Sequence, residues 1–383
     1  MSPRTVLYTD YYAFVGGGQQ NLLSVFGAID RRRWRPLLAL PKEGPFAEAA
    51  RALDVPVFVT PMGKARWRRP WQAYPAMLRL RRILAAQGAD LVHANDFPSH
   101  KLAVVAARGL SIPEVYHQQI AVTQRPASTT GRLMRFHLRG ASGILAVSAN
   151  AKRDLVALGL PSDRVRLLYN NADIAGIKAA RRAPDRALAA LGLPRGRPLI
   201  LAAGMRRPHK GFDVLLKAAA EFFRNRKGRG PKPFLAILGD SAHAEAGHEA
   251  RLRELLGAPE LKGNAGLYPA QRPLAPWLKR CAVFVSSSRW EGSPLVVLEA
   301  MAAGCAIVAT RQGAGEVLEN GKSGWLADVE DPASLAEGLE VLLKDPALGG
   351  RLGARAKREA AERFSLGNYV RELADYYDGL VGV

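Results

Sequence analysis

Two glutamates, Glu291 and Glu299, stand with seven residues between them in the otherwise apolar run "RWEGSPLVVLEAMAAG". "CAVFVSSS" ahead of them reads as a strand, "RWEGSP" as a loop and "LVVLEAMAAG" as a helix stopped by Gly304. Glu291 then lies in the loop and Glu299 about two turns into the helix. A carboxylate inside an apolar helix is costly unless hydrogen-bond donors come to it. Such a pair is suited to accepting from the hydroxyls of a polar ligand.

A second cluster, "AAGMRRPHKGFDVLL" (202–216), crowds Arg206, Arg207, His209 and Lys210 into one strand-to-helix connection. Cations at a helix N-terminus oppose the helix dipole, so the arrangement is unfavourable until an anion is bound. A diphosphate fits, because guanidinium forks and an ammonium both stabilise it. The third loop, "VGGGQQ" (15–20), follows the first strand; Gly17 and Gly18 permit close backbone approach at a helix start, without the G-x-G-x-x-G spacing of a dinucleotide fingerprint.

These loops need a framework that places strand ends side by side. Apolar runs at 4–10, 35–40, 55–59, 89–94, 114–119, 143–148 and 165–170 alternate with amphipathic segments, which predicts a parallel sheet covered on both faces. The alternation lapses in the Pro-, Gly- and Arg-rich stretch 170–198, restarts at 198–204, 233–240, 264–268, 281–287 and 305–310, and ends in helices. With 383 residues, two domains are expected. The predicted boundaries are 1–175, a linker at 176–197, 198–365, and a terminal helix at 366–383.

Composition narrows the class. At 48% hydrophobic and 23% charged residues the chain reads as globular. Cys281 and Cys305 are the only cysteines, so neither a disulfide framework nor a zinc site is expected, and a cytoplasmic setting fits. No signal peptide or membrane-spanning run is expected from the apolar pattern. The net charge of +21 is uneven: residues 1–190 hold 28 basic and 12 acidic side chains. The segment 64–82, with Lys64, Arg66, Arg68, Arg69, Arg79, Arg81 and Arg82 among Trp67, Trp71 and Tyr74, is suited to an anionic membrane interface. Nucleic-acid binding is the rival reading of the charge, but it gives Glu291 and Glu299 no task and no recognised nucleic-acid motif is present.

In order along the chain, these motifs resemble the retaining glycosyltransferases of family four. Gly204, Arg206, Lys210 and Gly211 match its basic loop, Glu291 and Glu299 its E-x7-E signature, and "GAGEVLENGKSGWL" the segment after it. "VSANAKRDLVALGLPSDRVRLLYNNAD" resembles the stretch closing the first domain. The resemblance implies an α/β GT-B fold: two Rossmann-like domains facing each other across a cleft, with the C-terminal helix crossing back to the first. It implies a nucleotide diphosphate sugar donor held without a metal or other cofactor. Arg206 and Lys210 would neutralise the diphosphate, with Arg207 an alternative to Arg206. Glu291 would lie near the donor sugar and Glu299 would accept from the ribose. Gly292, Ser293, Pro294 and Leu295 would bring the helix start to sugar and phosphate, with N–H groups from Ser293 and Leu295 because Pro294 has none.

The resemblance also implies front-side displacement to an acceptor hydroxyl; the basic charge adds the expectation of a glycan or lipid-linked acceptor in envelope polysaccharide or lipopolysaccharide synthesis, with the cytoplasmic enzyme peripheral on the inner face of the cytoplasmic membrane. Two departures stand out. "HANDF" puts Asn95 where a histidine is usual, leaving Asp96 and His117 as candidate sugar-contacting or basic residues beside His93; and Met205 directly follows Gly204 where arginine is frequent. A GT-B nucleotide-sugar epimerase is the runner-up.

Overall fold

The computed structural model describes residues 2–62, 73–120, 126–226, 230–240 and 247–382. Lys64, Arg66, Trp67, Arg68, Arg69 and Trp71 lie outside the described residues; Tyr74, Arg79, Arg81 and Arg82 fall on the helix Tyr74–Ala86. The chain divides into two compact units, residues 1–171 with 366–383, and residues 172–365.

The first unit is built on a seven-stranded sheet: β1 (Arg4–Thr9), β2 (Trp34–Leu40), β3 (Val57–Val59), β4 (Leu91–Ala94), β5 (Glu114–Gln118), β6 (Gly143–Ala146) and β7 (Val165–Leu167), in the order β3-β2-β1-β4-β5-β6-β7. The second carries β8 (Leu199–Ala203), β9 (Phe234–Leu238), β10 (Ala265–Tyr268), β11 (Val283–Ser286), β12 (Ile307–Thr310) and β13 (Trp325–Ala327), in the order β10-β9-β8-β11-β12-β13. Neighbouring strands pair in parallel throughout both sheets. Parallel strands have helices on both faces, which is why Val6, Leu7 and Tyr8, successive residues of β1, are all fully buried. These are two Rossmann-like α/β units.

Strand order reverses beside β1 and β4 in one sheet, and beside β8 and β11 in the other. Chains leaving two such neighbours diverge to opposite faces, opening a crevice beyond their carboxyl ends. The glycine loop follows β1 and "NDF" follows β4; the basic loop follows β8 and the loop of Glu291 follows β11. Each group of candidate residues therefore sits at a switch point.

The expected linker at 176–197 is part of the second unit. It holds the helices Ile174–Ala179 and Asp185–Ala190, whose Ile177 and Leu188 are buried. Ala183 N–H donates to Pro276 O at 2.9 Å, and Asp185 pairs with Arg280 at 2.6 Å. The chain passes from the first unit to the second at 171–172 instead. Residues 366–383 return to the first unit, where the helix Leu366–Val381 buries Tyr369, Leu373 and Tyr377 in a core with Tyr8, Phe26 and Trp34.

Candidate functional site

In the second unit, Pro208–Lys210 forms a single 3-10 turn and Gly211 takes the left-handed conformation (φ 62°, ψ 26°) that lets the helix Phe212–Asn225 start at once. A β-carbon at Gly211 would lie 2.0 Å from Ser287 O. The loops after β8 and β11 are thus in backbone contact. They are also tied by hydrogen bonds: Ser287 Oγ donates to Lys210 O at 2.9 Å, and Arg289 N–H to His209 O at 2.7 Å. The Arg289 guanidinium donates to Pro208 O and grips Asp213 with two bonds of 2.9 and 2.8 Å. His209 stacks on Trp290, with ring centroids 4.7 Å apart.

This double loop brings Lys210 and Glu291 together. Lys210 Nζ lies 2.6 Å from Glu291 Oε1, which also accepts from Ser288 Oγ at 2.6 Å, and both side chains of the ion pair are mostly buried. Burial, then the Lys210 charge, pushes His209 down to about 4, which leaves its ring neutral at pH 7.

Arg206 does other work. Its Nε pairs with Glu249 at 2.7 Å, while Nη1 donates to the carbonyls of Gly239 and, at 3.1 Å, Tyr268. The buried guanidinium fastens the ends of β9 and β10 together, spending Nε and Nη1 inside the protein where the diphosphate loop was expected to offer them. Arg207 is the opposite case: among the described residues its side chain makes no hydrogen bond or ion pair, and its Nε is buried without a partner. Arg206→Ala is expected to lower unfolding free energy by about 3 kcal/mol, because two carbonyls and a carboxylate lose their donor. Denaturant unfolding measures this; Arg207→Ala is expected to shift it by no more than about 0.5 kcal/mol.

Glu299 lies in the helix Leu295–Ala303, half-buried, and its carboxylate accepts no hydrogen bond among the described residues. Burial lifts it from 4.5 to about 7, a rise that the Arg272 charge moderates. Because the folded value lies above the ordinary one, this contribution to stability is complete below about pH 4.5 and is lost as pH rises through about 7. Thermal melts of the unliganded protein should therefore show a fall over that window that Glu299→Gln removes. At the same helix start Gly292 is buried and Ser293 Oγ is buried without a partner among the described residues. The Leu295 N–H donates to Ser293 O at 3.0 Å, so Leu295 is not the free donor expected of it. An open pocket of about 420 Å³ lies nearby along the same strand ends, lined by Arg206, Asp240, Arg253 and Tyr268 among others.

In the first unit, Gly17 opens the helix Gly17–Ala28 and is exposed. Gly18 is packed: a β-carbon there would stand 3.3 Å from Gln119 Cγ and 3.4 Å from Asn95 Nδ2. Behind the loop is Asp10, fully buried, which the sequence reading passed over although it closes "YTD" at the end of β1. Asp10 Oδ2 accepts from Gln19 Nε2 at 2.8 Å and Asn95 Nδ2 at 2.7 Å, and Oδ1 from Tyr12 N–H at 2.8 Å.

Asp96 is not an available base. It caps the helix Phe97–Arg108, taking Ser99 N–H on Oδ1 at 2.7 Å and Tyr11 N–H on Oδ2 at 2.6 Å. Burial raises both Asp96 and Asp10, and the neighbouring Asp96 charge raises Asp10 further. His117 is fully buried, which pushes it down to about 3 and keeps it neutral. Its Nδ1 lies 3.2 Å from His93 Nε2, and its Nε2 has no partner among the described residues.

Among the described residues no group of three or more His, Cys, Asp and Glu side chains is placed to hold a metal ion. No helix there is long and apolar enough to cross a membrane.

Comparison with known proteins decides the family. The model of the glycosyl transferases group 1 matches residues 185–359, and that of the glycosyl transferase 4-like domain residues 16–171. A protein of Frankia alni named D-inositol 3-phosphate glycosyltransferase is 31% identical over 71% of this chain and 70% of its own. The chain belongs to the group 1 glycosyltransferases. A second such relative, from Acidothermus cellulolyticus and of the same name, is 29% identical over 79% of this glycosyltransferase and 70% of its own length.

Solved structures agree on the fold. The Anabaena protein HepE, crystallised with UDP, superposes on this enzyme with a TM-score of 0.83 at 19% identity, covering 98% of this chain and all of that one. A glycosyltransferase of Rickettsia africae gives 0.86 at 16% identity, with both chains fully covered. The GT-B fold is thus shared at identities where few side chains are.

Proposed function

We propose that this glycosyltransferase moves a sugar from a nucleotide diphosphate sugar, with UDP or GDP as the nucleotide, to a hydroxyl of a glycan or lipid-linked acceptor, with retention at the anomeric carbon. The observation that carries the reading is the disposition around the β8 and β11 loops. Lys210 is held on Glu291, Arg207 is unpaired among the described residues, and Glu299 offers a carboxylate with no donor. A diphosphate beside Lys210 and Arg207 would supply the missing anion. The ribose hydroxyls would supply donors to Glu299, which would then ionise, and Glu291 would turn to the hydroxyls of the sugar.

Chemistry at that site needs positive charge where the leaving group gains negative charge. Lys210 and Arg207 provide it from side chains, so no metal is required by this reading. In the proposed front-side displacement, the acceptor oxygen bonds to the anomeric carbon as the carbon–oxygen bond to phosphate breaks. The acceptor proton passes to the departing phosphate oxygen, and the nucleoside diphosphate leaves. Double displacement would instead use a carboxylate nucleophile close to the anomeric carbon. A covalent glycosyl–Glu291 species in a mass spectrum would rule out the front-side route.

The relatives' names bring inositol 3-phosphate into the acceptor screen beside lipid-linked glycans. An envelope polysaccharide or lipopolysaccharide role at a cytoplasmic membrane surface draws support from charge, and from Phe136, which is 73% exposed on a helix with Arg132 and Arg135. Sedimentation with anionic vesicles at low salt tests the surface; no binding would remove it. The donor reading is tested by hydrolysis of UDP-, GDP- and ADP-sugars with NMR of the released anomer. Release of the retained anomer from one of them is expected. No hydrolysis of any, together with an inert Glu299→Ala change in donor binding, would overturn it.

A further inference from the structure

The residue that replaces the family's usual histidine, Asn95, is the middle of a chain of directed hydrogen bonds. Asp10 Oδ2 accepts from Gln19 Nε2 at 2.8 Å as well as from Asn95 Nδ2 at 2.7 Å. Asn95 must therefore turn its NH2 to Asp10 and its Oδ1 the other way. Gln119 Nε2 donates to that Oδ1 at 2.8 Å. An amide NH2 has two hydrogens, and the second is directed to His117 Nδ1, 3.2 Å away.

A nitrogen that accepts cannot carry the ring proton of a neutral imidazole, so the proton of His117 is on Nε2. His93 Nε2 lies 3.2 Å from the same Nδ1, and His93 Nδ1 lies 2.7 Å from the Tyr377 hydroxyl, itself 3.1 Å from the Tyr8 hydroxyl. His117 Nε2–H is then buried and, among the described residues, unpartnered at the carboxyl end of β5. A buried orphan donor costs stability unless a ligand oxygen completes it.

We propose that Asp10, Asn95 and Gln119 form a relay that locks His117 in the Nε2–H tautomer, which makes His117 a neutral donor to a substrate oxygen and not a base. Gln119 is the positioning residue of this relay. Only the nature of the oxygen, a sugar or acceptor hydroxyl, rests on the proposed function; the tautomer does not.

Histidine ¹⁵N NMR of the full-length protein tests it without turnover, with the His117 signals assigned by their loss in His117→Gln. The expected spectrum has an unprotonated Nδ1 and a protonated Nε2 for His117, unchanged from pH 5 to pH 8. Gln119→Glu, which can only accept, is expected to move the proton to Nδ1. Gln119→Met is expected to leave a tautomer mixture and lower kcat about tenfold, the equivalent of one neutral hydrogen bond. A wild-type His117 protonated on Nδ1 would overturn the relay. So would an unaltered tautomer in a folded Gln119→Glu variant. Absence of donor hydrolysis with the expected spectrum would instead strike the proposed function and leave the relay standing.

Discussion

Lys210→Met is expected to lower kcat/KM by about 10²- to 10³-fold, the loss typical of removing one preorganised group that meets charge developing on a leaving group. Nucleotide binding should weaken as well, because the ammonium also neutralises the ground-state diphosphate. The folded state should lose stability as well, because the mostly buried Glu291 keeps only the Ser288 Oγ donor at 2.6 Å when the lysine is gone. A fall of about 3 kcal/mol in unfolding free energy is expected. Steady-state kinetics beside a thermal melt separates the two effects. Lys210→Arg should rescue little, since a planar fork cannot take the place of a point charge seated against one carboxylate oxygen. A variant that keeps wild-type kcat/KM would remove Lys210 from the proposed chemistry.

Gly211→Ala should be strongly damaging to the second unit. The position combines a left-handed φ of 62° with a backbone oxygen, Ser287 O, 2.0 Å from where a β-carbon would go. Left-handed strain alone costs about 1 kcal/mol for alanine. The contact cannot be relieved by a side-chain rotation, because Ser287 O belongs to the chain leaving β11. The loops must part, and with them the bonds that hold Lys210 against Glu291. A loss of about 3 kcal/mol or more in stability is expected, together with loss of donor binding. Gly196→Ala is the control: its φ is 72° and nothing lies within 4 Å of its would-be β-carbon. It should show the strain without the clash, and activity should survive.

Much of the fold was legible because parallel strands covered on both faces are nearly continuous apolar runs, as in "VLY" and "VFVS". The linker was misplaced for a physical reason. Residues 176–197 have the Pro, Gly and Arg of a connector, yet Ile177, Ala183 and Leu188 anchor them to the second unit at intervals too wide to read as a face. The three-residue strand β13 was too short to register beside its flanking turn.

The acidic pair was legible because its spacing and helix are local. Arg206 was not, since its partners Glu249, Gly239 and Tyr268 lie between 33 and 62 residues away and only folding unites them. Asp96 could have been read differently: Asp followed by Phe-Pro-Ser is the pattern of a helix N-cap with proline in the first turn, and capping is what it does. The relay through Gln119 needs three loops to converge, and no spacing announces it.

The central claim is that the β8 and β11 loops of this group 1 glycosyltransferase hold the diphosphate of a nucleotide donor through side chains alone. Calorimetric titration of the full chain with UDP, GDP and ADP in the presence of a metal chelator tests it most directly. Saturable binding of one of them to the wild type, weakened at least tenfold in Lys210→Met and in Glu299→Ala, is the predicted result. Binding that vanishes with the chelator, or that both variants leave untouched, would contradict it.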